Sequence, residues 1–302
     1  MINTLQLKEA IFNRTSIRTF DGNPLTAEHE TMLKAYIETI ENRTGVFGSI
    51  IHVDYFTPKA DEFKAVGTYG VIKNAPAYLV VSCKNTMLHM LDCGYVIENF
   101  ILFLMTLGIG SCWLGGTFKR QQISISSDLE ADEFIPILVP IGYENEKKSF
   151  TDRAIRTLAK SHGREPFNSR FFQDSIEHII TDEKMIDLLE HVRIAPSASN
   201  KQPWRIIVTK DAFKFYLERT PNYGGDRLGY DIQMLDIGIA LAHLNLACID
   251  SQNFATAENL QDISRGLAVE FKKDELNISP LLKDDKKQVK TLFEYVFSVN
   301  RT

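Results

Sequence analysis

The chain is short of the features that would settle its class quickly. It has only four cysteines in 302 residues, Cys83, Cys93, Cys112 and Cys248, and none forms a CxxC pair. That excludes a disulfide framework and a zinc ribbon, and it fits a reducing compartment. No apolar core occupies Met1–Ala10, where Lys8 and Glu9 stand, so no secretory leader is expected there. The most apolar run, Tyr95–Leu107, is interrupted by Glu98 and Asn99. It is shorter than the roughly 18 apolar residues of a membrane span and reads as a buried helix. Basic excess is missing too. The net charge is −5 and the pI about 5.9, which argues against a nucleic-acid surface. These absences together suggest a cytoplasmic protein with no membrane and no nucleic-acid partner.

Several chemical signatures are also missing. Gly108-Ile109-Gly110 begins like a dinucleotide fingerprint, but Trp113 stands where the third glycine belongs. No P-loop, no HExxH and no GxSxG occurs. The histidines, His89, His191 and His243 among them, show no paired metal spacing, and no metal is expected. His243 lies within an apolar helical pattern and is expected to be a satisfied core residue.

What is present is an ordinary globular composition, 44% hydrophobic and 24% charged, with an internal echo. Leu25-Thr26-Ala27-Glu28 and Ile180-Thr181-Asp182-Glu183 lie 155 residues apart, and each offers a threonine N-cap followed by first-turn acids. Leu33/Leu188, Ile37/Val192, Ile51/Ile206 and Val53/Val208 keep the same separation. Further on, Met90-Leu91-Asp92-Cys93-Gly94 resembles Met234-Leu235-Asp236-Ile237-Gly238 at a separation of 144, ahead of apolar helices expected over 95–107 and 239–248. The shortened separation places extra residues in the first half, with Asn74-Ala75-Pro76 and a strand over 77–82 among them. We read the pattern as a duplication. The fold class expected is α+β, with two related halves forming a pseudo-two-fold, dimer-like unit in one chain. The halves would be 1–165 and 166–302, divided near the polar stretch 160–168, and the chain would be a monomer.

Two motifs occur once each. Arg14-Thr15-Ser16-Ile17-Arg18 follows a helical pattern over 7–13, and in an extended segment Arg14, Ser16 and Arg18 share a side. Guanidinium and hydroxyl donors suit a phosphate monoester, although the spacing by itself favours an exposed basic turn. Ala195-Pro196-Ser197-Ala198-Ser199-Asn200-Lys201-Gln202-Pro203-Trp204 ends a helix over 183–194 and feeds a strand over 205–209. Small residues and amide or hydroxyl groups there suit the edge of a heteroaromatic ring, and equally a polar loop. Trp204 is expected in the core. At the 155 separation Arg14, Ser16 and Arg18 align with Ser169, Phe171 and Gln173, whereas Ser197, Ser199, Asn200 and Gln202 align with Asn42, Thr44, Gly45 and Phe47. The losses are complementary, so a single ligand site per chain is expected, built from both halves.

With these residues in view, the chain resembles the nitroreductase family of FMN-dependent NAD(P)H oxidoreductases. The resemblance is carried by AIFNRTSIRTF (10–20), NAPAYLVV (74–81), DCGYVIENFILFLMTLGIGSCWLGG (92–116), VPIGYENE (139–146) and APSASNKQPW (195–204). It looks like a fused, single-chain branch in which the serine-asparagine loop is missing from the first half. The resemblance implies FMN as cofactor, with Arg14, Ser16 and Arg18 at its phosphate and ribityl end. It also implies backbone N–H groups of Leu114, Gly115 and Gly116 near the flavin N5, and Pro196, Ser197, Ser199 and Asn200 lining the ring. Arg164 would be a further phosphate ligand or a solvated linker charge, with Arg153 and Arg156 as weaker candidates. NAD(P)H would reduce the flavin in a ping-pong cycle and a nitroaromatic, a quinone or a similar small oxidant would reoxidise it. No side chain is expected to act as acid or base. The alternative is a flavin-storage protein with little turnover, its flavin covered by side chains such as those of Tyr223-Gly224-Gly225-Asp226.

Overall fold

A computed structural model describes residues 4–58, 68, 70–120, 123, 129–145, 163–225, 228–249, 280–283 and 291–300. It is a mixed α+β protein whose chain divides into two compact units, Asn13–His162 and Gly163–Thr302, the latter together with Asn3–Phe12.

In the unit spanning 13–162, strands β1 (His52–Phe56), β2 (Ala77–Lys84), β3 (Gly110–Ser111) and β4 (Glu133–Gly142) form an antiparallel sheet in the order β1-β2-β4-β3. Strand β2 reads AYLVVSCK and is buried along nearly all its length because both faces are covered. Tyr78 and Val80 join a cluster with Ile17, Phe20, Cys112, Leu114 and Leu138. Cys83, on the opposite face, meets Cys93 of helix α3 (Met87–Thr106). Helix α2 (Ala27–Glu38) starts on Thr26, whose hydroxyl accepts the His29 N–H as the sequence suggested.

Helix α3 is long and apolar enough to span a bilayer on length and composition, but it is buried inside the fold. It begins earlier than the expected 95–107, because Thr86 caps it by accepting the His89 N–H. It stops where Gly108 adopts φ +71°, which turns the chain and lets Gly108 and Ile109 amides return to the carbonyls of Met105 and Leu104. That stop aims the chain into β3.

The other unit holds a five-stranded sheet in the order β5-β6-β7-β9-β8, from β5 (Phe171–Gln173), β6 (Trp204–Val208), β7 (Ala212–Glu218), β8 (Pro280–Lys283) and β9 (Thr291–Asn300). Only β5 and β6 run parallel. Helices α4 (Glu183–Arg193) and α5 (Ile232–Cys248) pack on one another. Two expectations change. The cap of α4 is Asp182, which accepts the Lys184 N–H, and not Thr181. Helix α5 starts at Ile232 instead of 239, because Asp231 accepts the amides of Gln233 and Met234. The N-terminal helix α1 (Thr4–Asn13) is grouped with this unit along Asn3–Phe12. Lys8 Nζ donates to the carbonyls of Ala247 and Ile249, capping the C-terminus of α5 where a cation is favoured. Trp204 and His243 are fully buried as expected, and His243 Nδ1 lies 2.8 Å from the His191 carbonyl.

Both central helices bury an aspartate. Asp92 of α3 accepts the amides of Phe47 (3.0 Å) and Ser49 (2.9 Å), one on each oxygen. The loop closes so tightly that a β-carbon on Gly45 would lie 2.1 Å from the Asp92 carboxyl carbon. Replacing Asp92 by Ala leaves two amides without this acceptor, so D92A is expected to cost about 3 kcal/mol or more in urea unfolding. E30A removes only the exposed pair with Lys34 and is expected to cost far less. Equal effects would show that Asp92 does not hold the loop.

Candidate functional site

Beyond α1 the backbone runs extended through 14–20. The Ile17 amide donates to the Ser111 carbonyl at 2.8 Å, and Lys73 and Phe20 exchange amides with the carbonyls of Arg18 (2.8 Å) and Lys73 (3.0 Å). Alternation then sends Ile17 into the core and leaves Arg14, Ser16 and Arg18 partly accessible. The close approach to β3 needs glycine, since a β-carbon on Gly110 would stand 2.8 Å from Ile17 Cγ1. Arg14 is mostly buried, with Nε 3.7 Å from Glu98 Oε1 of α3. Arg14 Nε and Arg18 Nη1 are buried and have no hydrogen-bond acceptor.

The same carboxylate reaches the next segment, where Trp113 Nε1 donates to Glu98 Oε2 at 2.9 Å. Leu114 departs from expectation. Its amide donates to the Leu138 carbonyl at 3.0 Å, and Leu138 returns the bond, so the Leu114 N–H is already committed to the sheet. Of the three expected backbone donors, only Gly115 and Gly116 lie beyond that bridge, the first half-exposed and the second exposed. Arg120, which the sequence did not single out, donates to the carbonyls of Gly115, Ile135 and Pro136 and lies over the Phe118 ring. An arginine that serves carbonyls leaves no side-chain pattern to read.

In the unit containing 163–249, the loop after α4 is held by bonds within itself and by several to residues 163–165 and Tyr223. Ser199, Asn200 and Gln202 have φ of 49°, 54° and 48°. Such left-handed residues cost roughly 1–3 kcal/mol each unless the surroundings fix them. Ser197 Oγ accepts the Gln202 amide (2.8 Å), and Gln202 Oε1 accepts the Glu165 amide (2.9 Å). Asn200 Nδ2 donates to the Gly163 carbonyl (2.7 Å), and Tyr223 donates its hydroxyl to Ser199 Oγ (2.8 Å). Pro196 is half-buried at the start of the loop. Arg164 donates to Asn200 Oδ1 at 3.1 Å and to the Ile194 carbonyl at 2.9 Å, which ties the loop to the end of α4. It is therefore not a solvated linker charge. Arg153 and Arg156 lie outside the described residues, as does Asp226 of the Tyr223 loop. Among the described residues no group of His, Cys, Asp and Glu is placed to hold a metal ion.

Residues 6–248 match the family described as "Putative TM nitroreductase". Among solved structures, the Thermotoga maritima protein tm1586 is 17% identical with a TM-score of 0.50, over 98% of this chain and 96% of that one, a likeness of fold. A Bacteroides fragilis nitroreductase with bound FMN is 18% identical with a TM-score of 0.36, over 48% of this chain and 91% of its own. One from Desulfitobacterium hafniense, also with bound FMN, is 20% identical with a TM-score of 0.40, over 49% and 93%. A comparison with curated proteins finds no match.

Asp236 of α5 accepts the Ala198 amide on Oδ1 at 2.9 Å, while its Oδ2 is buried with no partner. Burial lifts its carboxyl well above the carboxylate range; the Ala198 bond opposes this and Asp231 adds to it. An acid whose folded pKa is raised stabilises the fold fully below its unfolded value, about 3.9, and loses that contribution as pH rises through the folded value. Asp236→Asn keeps an acceptor for Ala198 and cannot ionise. Thermal unfolding is therefore expected to find D236N more stable than the parent at pH 8, with the margin shrinking toward pH 4. A variant less stable than the parent at pH 8 would mean that the folded carboxyl is ionised.

Proposed function

Because the chain belongs to the TM nitroreductase family across residues 6–248, we propose that it is an FMN-dependent oxidoreductase that passes hydride from NAD(P)H to a nitroaromatic, a quinone or a similar small oxidant in ping-pong order. The observation that carries the reading is the pair of buried, acceptorless nitrogens, Arg14 Nε and Arg18 Nη1, in one extended segment. A buried donor left without an acceptor costs about 1–3 kcal/mol, more when charged. A phosphate monoester supplies the missing acceptors, so these residues fit FMN.

Bound FMN would supply the redox chemistry. The protein's part is to bind and orient. Arg14 and Arg18 anchor the phosphate by charge-assisted bonds and Ser16 adds a neutral donor. Gly115 and Gly116 offer backbone to the ring edge where a side chain would block approach. Pro196, Ser197, Ser199 and Asn200 form a loop whose fixed, strained backbone suits a flat ligand. Protons come from solvent, and no side chain is assigned as acid or base.

We read the two halves, 1–165 and 166–302, as products of duplication. The reading is supported by the MLDxG segments, whose Asp92 and Asp236 each accept loop amides from the same place in an apolar helix. It goes with a monomer carrying a single FMN.

The test is the visible spectrum and flavin content of the purified protein, before and after anaerobic NADH or NADPH. One FMN per chain, bleached by a pyridine nucleotide, is expected. R14A and R18A are each expected to raise the FMN Kd about 10- to 100-fold, the loss of a charge-assisted bond. Failure to bind FMN even on reconstitution would refute the proposal, and bound flavin that neither nucleotide bleaches would point to storage.

A further inference from the structure

Glu98 is the charged residue that the reading above leaves without a task. It lies in the middle of α3, fully buried, on a helix whose other buried side chains, Asp92 apart, are apolar. A carboxylate there is costly and persists only when donors converge on it. The donors that do so come from both candidate FMN segments of this unit. Arg14 Nε stands 3.7 Å from Oε1, and Trp113 Nε1 donates to Oε2 at 2.9 Å. Trp113 directly precedes Leu114, Gly115 and Gly116, and Arg14 opens the segment that contains Ser16 and Arg18.

We infer that Glu98 is a positioning residue for FMN: one oxygen orients Arg14, the other fixes Trp113, and a single buried carboxylate thereby sets the phosphate-anchoring segment and the glycine loop together. The inference rests on the FMN reading. In this role Glu98 acts through the two residues it holds. Its ion pair with Arg14 lacks a hydrogen bond at Nε, which leaves that N–H for a second acceptor. A negative charge at Glu98 opposes a phosphate at long range, but it also keeps a mostly buried guanidinium in place. At contact distance the placement of the donors decides.

The sequence supports the same link from another direction. Glu98 stands six residues beyond Asp92 of one MLDxG segment, and six beyond Asp236 of the other stands Ala242. The half that has Ser169 in the position of Arg14 thus also lacks the acid.

The experiment uses the full chain, with FMN affinity read by quenching of flavin fluorescence and the Trp113 indole N–H read by NMR, its resonance identified with Trp204→Phe. Glu98→Gln keeps the volume and an acceptor but loses the charge. It is expected to weaken FMN about tenfold or more and to move the Trp113 indole resonance. In an Arg14→Ala background the same substitution is expected to cost clearly less than it does in the parent, leaving only the several-fold loss carried by the Trp113 contact, because Arg14 and Glu98 act as one unit. A merely structural role would instead multiply the two losses. Trp113→Phe, which deletes the indole N–H and leaves the ion pair, is expected to weaken FMN several-fold with an unchanged circular dichroism spectrum, and it keeps the test alive if E98Q does not fold. Parental affinity in E98Q or W113F, losses that multiply, or an unmoved indole resonance would each overturn the inference while the FMN reading stands. No binding by the parent protein would overturn both.

Discussion

An acid buried in an apolar helix has to find donors, and in this protein the donors are the loops. Helix α3 buries Asp92 and Glu98, and helix α5 buries Asp236. Removing a carboxylate from water costs several kcal/mol unless amides, cations or a proton replace the lost hydration. Each helix therefore dictates the course of chain segments far away in sequence. The turn 45–49 closes on Asp92, the segments at Arg14 and Trp113 meet at Glu98, and the loop at Ala198 docks on Asp236.

The three acids solve the same problem differently, and the differences matter for function. Asp92 has a backbone amide on each oxygen and holds a turn with no room for a β-carbon at Gly45, an arrangement suited to rigidity. Glu98 uses a guanidinium and an indole, so it links side chains that have another task. Asp236 has one amide and an oxygen without a partner, and burial favours its neutral form. The loop it supports is also the one with three left-handed, non-glycine residues. That loop keeps its shape because Gln202, Arg164 and Tyr223 bind it at several points. Strain that is fixed in advance need not be created when a ligand arrives.

Much of this was legible in the residues. The α+β class was expected from the repeated helix and strand segments, and the Thr26 cap, the buried Trp204 and the satisfied His243 stand where the sequence put them. The extended segment with Arg14, Ser16 and Arg18 on one side followed from the two-residue period of a strand. What the sequence misjudged were a local choice between neighbouring caps and a contact made across a longer separation. Asp182 caps α4 where the sequence pointed to Thr181, because capping depends on which residue the chain holds in extended geometry. Leu114 lends its amide to Leu138, which no side-chain pattern could disclose.

The sequence by itself determined which faces are apolar, where the two apolar helices end, and which segments carry donors suited to an anion or a flat ring. Those properties depend on neighbours one to four residues away, and the side-chain types record them directly. Only the tertiary structure decided which polar groups remain available. Arg164 is committed to Asn200 and Ile194, Arg120 to the carbonyls at Gly115, Ile135 and Pro136, and Glu98 to Arg14 and Trp113. The reason is physical: a buried charge pairs with whatever groups packing brings close, and that closeness is fixed by the whole fold rather than by the spacing of residues along the chain.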